Sequence, residues 1–183
     1  MSYTDPQRAL DNATRFMQEG GAHMVKLEGG GNLEQVIKVL TDHNMPVCAH
    51  LGLQPQSVHK IGGYKVQGRD PAAAEAMFNE AQVIQAAGAD MLLLECVPAA
   101  LAARISASLT IPTIGIGAGP DCDGQVLVIY DVLGISVGRK PKFAKNFLAE
   151  LPKEGEVSIA AALRGYVNAV KQGQFPTVEQ SFT

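Results

Sequence analysis

Gly88-Ala89-Asp90-Met91-Leu92-Leu93-Leu94-Glu95 decides the fold. A glycine stops what precedes it, four apolar residues follow without a polar break, and a glutamate ends the run. A short continuous apolar run bounded by turn signals reads as a strand buried on both faces, the kind found in parallel sheets. The same grammar occurs earlier, in Gly21-Ala22-His23-Met24-Val25-Lys26-Leu27-Glu28. Both segments give a helix stop, a strand and a glutamate at the strand's carboxyl end, a weak internal repeat.

Working outward, helical and strand periodicities alternate. Residues 6–19 predict a helix. Asp5 caps it, Pro6 suits its first turn, and Leu10, Ala13, Phe16 and Met17 form one apolar stripe. A strand over 23–27 follows. A second helix is predicted over 32–43, with Asn32 as cap and Leu33, Val36, Ile37 and Leu40 at helical spacing. Then come a strand at 47–51, a polar stretch at 52–70, an alanine-rich helix at 71–87, a strand at 91–95, a helix at 98–109 and a strand at 113–116. Val126 to Tyr130 reads as the last strand, residues 156–172 as a terminal helix and 173–183 as a strap. Strand–helix alternation is the signature of a parallel sheet with helical crossovers. Five such units form either an open doubly wound sheet or part of a (β/α)8 barrel; a whole barrel takes about 250 residues. No linker or low-complexity stretch divides residues 1–183, so a single domain is expected.

Composition narrows the function. The 183 residues are 46% hydrophobic, enough for a core. The net charge of −3, the absence of Trp and the scarcity of aromatics give no footing for nucleic acid. No apolar run approaches the roughly 18 residues that span a bilayer. Met1 to Pro6 lacks the basic and apolar regions of a signal peptide. Cys48, Cys96 and Cys122 are odd in number and widely spaced, which favours a reducing cytoplasm.

Parallel folds place their chemistry at the carboxyl ends of strands. Glu28 and Glu95 both arrive there. Glutamate is a poor strand residue and costly to bury unless paired, protonated or bound to metal. Either alone reads as a strand end in water; two in matching positions point to function. Lys26 shares a strand face with Glu28 by period-2 alternation, forming a structural ion pair or a holder for an anion. His50 ends the strand between them and serves either structure or chemistry. Gly115 to Pro120 suits a tight turn better than a dinucleotide fingerprint. Gly62 to Arg69 sits in the longest aperiodic stretch, as a lid, a subunit contact or a plain surface loop.

These blocks carry a resemblance. Met24-Val25-Lys26-Leu27-Glu28-Gly29-Gly30, Pro46 to Ser57, Gly62 to Arg69, Leu94-Glu95-Cys96-Val97-Pro98, Ile114 to Gly119 and Pro141 to Phe147, in this order, closely resemble the ketopantoate hydroxymethyltransferases. The resemblance implies a (β/α)8 TIM barrel of the phosphoenolpyruvate-mutase-like type, here about its last five βα units. It implies transfer of a hydroxymethyl group from 5,10-methylenetetrahydrofolate to 3-methyl-2-oxobutanoate, giving 2-dehydropantoate on the route to pantothenate. It implies Mg2+ and a cytoplasmic homo-oligomer, commonly a decamer. Position by position, Glu28 matches a magnesium ligand, Lys26 a substrate-contacting lysine, Glu95 the proton acceptor and His50 a pocket histidine in contact with substrate.

The chain departs from that pattern. Met1-Ser2-Tyr3 resembles an internal stretch after the third barrel strand. The strands before it carry, in the family, two aspartates that help hold Mg2+ and substrate and a serine that contacts the keto acid. Asp5 and Asp11 do not align with those aspartates. Open edges at 23–28 and 126–130 are expected to make the chain unstable or associating, with weak or absent catalysis. A non-catalytic remnant or subunit of the enzyme is one alternative. A related barrel acting on small keto acids or phosphonates is another.

Overall fold

The computed structural model describes residues 2–138, 140–152 and 156–183. Five parallel strands lie in chain order: β1 (Val25–Glu28), β2 (Val47–Gly52), β3 (Met91–Glu95), β4 (Thr113–Ile116) and β5 (Gly124–Gln125). The helices are α1 (Pro6–Gln18), α2 (Glu34–Asp42), α3 (Pro71–Ala86), α4 (Ala99–Ser108), α5 (Ile129–Leu133) and α6 (Ile159–Lys171). Parallel α/β architecture is therefore present. β1 and β5 are the outer strands of the sheet.

One face of the sheet packs against helices. Val25, Leu27, Val47, Ala49, Leu51, Leu92 and Leu94 meet Val36, Ile37 and Leu40 of α2, Met77, Ala81 and Ile84 of α3 and Leu101, Ala102 and Ile105 of α4. All are nearly or fully buried. Carboxylates at the amino ends of strands hold this layer in register. Asp90 accepts from the Val47 N–H (2.9 Å) and Asp123 from the Thr113 N–H (2.7 Å). They are structural, because each spends its Oδ2 on a backbone donor at the end of the sheet away from Glu28 and Glu95.

The helix caps are partly as expected. Asp5 accepts from the Arg8 N–H and Asp70 from the Ala73 N–H, both at 2.9 Å. Asn32 caps nothing. It lies in a short 3-10 turn, Gly31–Leu33, and Leu33 stands at the cap position of α2. α6 begins at its Ser158 cap, whose hydroxyl accepts from the Ala161 N–H at 3.0 Å. Part of the helix expected over 156–172 thus starts later; residues 153–155 lie outside the described segments. Of the expected stripe on α1, Ala13 is buried and Leu10 and Met17 pack against the core, joined by Ala9, whereas Phe16 is 59% exposed and lies off the buried side.

The last strand is a larger correction. Pairing with β4 covers only Gly124 and Gln125, and 129–133 is α5. A short apolar run does not by itself separate strand from helix. Here Val128, Ile129 and Tyr130 are exposed while Asp131, Val132 and Leu133 are buried together, and Gly134 closes the turn in the left-handed region (φ 68°). Val132 and Leu133 join a second cluster with Phe147, Ala162 and Phe175. Phe147, Tyr166 and Phe175 meet edge to face at 5.4–5.9 Å. Nor is β3 covered equally on both sides. Leu92 and Leu94 are fully buried, whereas Met91, Leu93 and Glu95 are half-buried.

Candidate active site

The other face of the sheet carries the polar residues. Register pairs Glu28 with His50, His50 with Leu93 and Gly52 with Glu95, so Lys26, Glu28, His50 and Glu95 share one face. The four residues singled out in the sequence meet at the carboxyl end of β1, β2 and β3.

His50 is the centre, with its side chain 1% exposed. Its Nδ1 lies 3.3 Å from Lys26 Nζ and 3.7 Å from Glu28 Oε1. Its Nε2 lies 3.3 Å from Glu95 Oε2. That last distance permits charge pairing, but its direction does not make a hydrogen bond, and Nε2 has no hydrogen-bond partner among the described residues. Lys26 Nζ stands 3.9 Å from Glu28 Oε1 and is half exposed, so it adds positive charge without leaving water.

Glu28 is fixed from outside the sheet. Its Oε2 accepts the Gln56 N–H at 3.0 Å. The Tyr3 hydroxyl accepts the Glu28 N–H and lies equally close, at 3.2 Å, to the Glu28 carbonyl. A phenol thus meets backbone groups that a neighbouring strand would meet at this edge. Burial raises the Tyr3 pKa above its ordinary value, which keeps the hydroxyl protonated.

Glu95 is held by its backbone and lines a cavity of about 520 Å³, with its side chain 16% exposed. The Leu53 N–H donates to the Glu95 carbonyl at 2.8 Å. Gly52, at φ 92°, lies so close that a Cβ there would come within 2.1 Å of that oxygen. Cys96 adopts φ 49°, a left-handed conformation uncommon for a residue with a side chain. Its thiol is pushed up to about 12, first by burial and then by the Glu95 charge. Cys96 is therefore a neutral packing group and no nucleophile near neutral pH. Tyr64, Lys142, Phe143 and Phe182 complete the cavity wall around Glu95. Tyr64 brings the Gly62–Arg69 loop to the site's rim.

The glycine loop at 115–120 is a packing device. A Cβ on Gly117, at φ 62°, would meet Phe143 at 2.8 Å and Phe182 at 3.1 Å. The close approach of those rings and the positive φ together require the glycine here. Sequence reading missed Tyr3, Gly52, Gln56 and the strap residue Phe182. Gly52 alone had a local signal, as a glycine directly after the His50 strand; the others arrive through tertiary contact.

Among the described residues, no three His, Cys, Asp or Glu side chains are grouped to hold a metal ion. Glu28 supplies a single carboxylate. Mg2+ takes one or two protein carboxylates and completes its octahedron with water and substrate oxygens. Glu28 fits one such position and is not a cage by itself.

A parallel α/β protein with two carboxylates flanking a buried imidazole at its strand ends is the class that fold and site define. A sequence model described as ketopantoate hydroxymethyltransferase matches residues 1–178, and the chain belongs to that family. It is 58% identical over 182 residues to the 3-methyl-2-oxobutanoate hydroxymethyltransferase of Alkalilimnicola ehrlichii, covering 100% of this chain and 64% of that protein. The like-named proteins of Nitrosococcus oceani and Shewanella loihica are each 56% identical, with 100% of this chain and 67% of theirs covered. The chain spans about two thirds of the length of these relatives. A solved structure described as "Native KDPGal structure" gives a TM-score of 0.46 at 16% identity over 93% of this chain and 68% of that one, a likeness too slight to bear on barrel closure. No helix among the described residues is long and apolar enough to cross a membrane.

Proposed function

We propose that the chain takes part in hydroxymethyl transfer from 5,10-methylenetetrahydrofolate to 3-methyl-2-oxobutanoate, giving 2-dehydropantoate for pantothenate synthesis. The observation that carries this reading is Glu95, which lines the cavity and shares a sheet face with Glu28 and Lys26. Glu95 takes the proton from C3 of the keto acid. The carbon so freed attacks the folate methylene, water supplies the hydroxyl oxygen and tetrahydrofolate leaves. Lys26 offsets the substrate carboxylate, and His50, buried between the two glutamates, holds their side chains in place. Glu28 would hold Mg2+ together with substrate oxygens, and such an ion polarises a keto-acid carbonyl when bound.

The family reading also proposes that the sheet belongs to a (β/α)8 barrel of phosphoenolpyruvate-mutase-like type and that the protein is a cytoplasmic homo-oligomer, as the commonly decameric family implies. Exposed Val128, Ile129, Tyr130, Ile135 and Val137 support association, because large apolar side chains left in water gain from burial against a partner. Sedimentation of the chain tests this, and a strictly monomeric chain overturns it.

The test of function is deuterium uptake at C3 of 3-methyl-2-oxobutanoate in heavy water, followed by proton NMR, with folate-dependent product formation in parallel. Uptake that depends on Glu95 supports the reading. Uptake that survives Glu95→Gln places the base elsewhere. No uptake by the unaltered chain favours a non-catalytic member of the family. Glu28→Ala is expected to weaken Mg2+ binding, and an unchanged magnesium titration removes Glu28 as a ligand.

A further inference from the structure

His50 has two ring nitrogens in two different settings, and the difference assigns its proton. A lysine ammonium has three donors and no acceptor. With Lys26 Nζ 3.3 Å from Nδ1, the favourable arrangement has Nδ1 accepting. A neutral imidazole that accepts at Nδ1 carries its hydrogen on Nε2. That nitrogen is buried, has no hydrogen-bond partner among the described residues, and faces Glu95 Oε2 at 3.3 Å. Glu28 Oε1, the other acceptor near Nδ1, is farther away at 3.7 Å.

We propose that Lys26 fixes His50 as the Nε2–H tautomer and that His50, through this N–H, is a positioning residue for the Glu95 carboxylate. The role rests on the reading of Glu95 as the proton acceptor; the tautomer does not. The terminal torsion of a glutamate is broad, so a small turn of the carboxylate completes the bond that distance already allows. The imidazole then aims one oxygen of Glu95 and leaves the other toward the cavity. The Leu53 N–H fixes the same residue's carbonyl, so side chain and backbone are each held by a separate donor.

Nitrogen-15 NMR of the intact chain tests the tautomer without any turnover. The His50 signal, identified by its loss in His50→Gln, is expected to show a hydrogen on Nε2 and none on Nδ1. A hydrogen on Nδ1, or on both nitrogens, overturns the proposal. Lys26→Met removes the donor to Nδ1 and is expected to shift the hydrogen toward Nδ1, where Glu28 accepts it; an unmoved tautomer overturns the part given to Lys26. The positioning role is read from two substitutions. His50→Leu is expected to lower kcat on the order of 10- to 100-fold while leaving KM for the keto acid nearly unchanged. His50→Gln, which keeps an N–H near the Nε2 place, recovers most of that loss. Equal losses in both variants overturn positioning by Nε2–H. Full C3 deuterium uptake by Glu95→Gln, with the tautomer as expected, overturns the reading of Glu95 and leaves the tautomer standing.

Discussion

The two faces of this sheet are built from the same strands and obey opposite rules. On one, Val47, Ala49, Leu92 and Leu94 are fully buried against helices and contain nothing that titrates. On the other, a residue's width away along each strand, Lys26, Glu28, His50 and Glu95 crowd one end and leave His50 Nε2 without a hydrogen-bond partner among the described residues. The first face stabilises the fold, and the second keeps charge where a ligand can use it. The period of two in a strand separates the roles so completely that stability and chemistry can be tested apart.

Glu95→Gln attacks the polar face with the largest expected effect. C3 deuterium uptake should fall about 10²- to 10⁴-fold, the usual worth of a general base. The midpoint of thermal unfolding should hardly move, and a large drop there would mean that Glu95 is structural. Leu94→Ala attacks the other face. It should cost about 2–5 kcal/mol in urea unfolding, since it opens a cavity in a layer with no slack. The uptake rate per folded molecule should stay near that of the unaltered chain; a parallel loss of both would deny the division between faces.

Gly52→Ala joins the two. Its Cβ would press on the Glu95 carbonyl, in a left-handed backbone that costs about 1–3 kcal/mol to impose on a residue with a side chain. Stability and uptake should both fall, the rate by less than in Glu95→Gln. A variant as stable and as fast as the original would show that the close approach does not position Glu95.

The smallest effect is alkaline. The Cys96 thiol, ordinarily near 9.0, is pushed up to about 12 in the folded chain. Between those values the folded state keeps a proton that the unfolded chain releases, so stability falls as pH rises across the window. Below pH 9.0 both states are protonated and the contribution is level. Urea midpoints measured on either side of that value should decline with pH, and Cys96→Ser should flatten the decline. An equal slope in the variant would assign the effect to other groups; burial also raises Cys48 and Cys122.

β3 was legible because its signal is local: a stop, an apolar run and a glutamate. So were α3, with Asp70 and Pro71 at its start, and the convergence of Glu28 and Glu95 on one rim, since strand ends in parallel folds share a direction. The segment 126–133 was not legible. Val126 to Leu133 is apolar apart from Asp131, and which of its apolar residues are buried depends on Phe147 and Phe175, far along the chain. Asn32 looked like a cap because its residue type is right, yet the chain spends it in the 3-10 turn that feeds α2.

Sequence alone determined the parallel α/β class, the family blocks and the four polar residues of the site, because strand periodicity and chain direction are local properties of the backbone. Tertiary structure decided the rest. It placed His50 between two carboxylates, set Tyr3 and Gln56 on Glu28, pressed Gly52 against Glu95 and turned 129–133 into a helix. Each of these depends on distances between residues remote in the chain, and only the packing of the whole layer sets such distances.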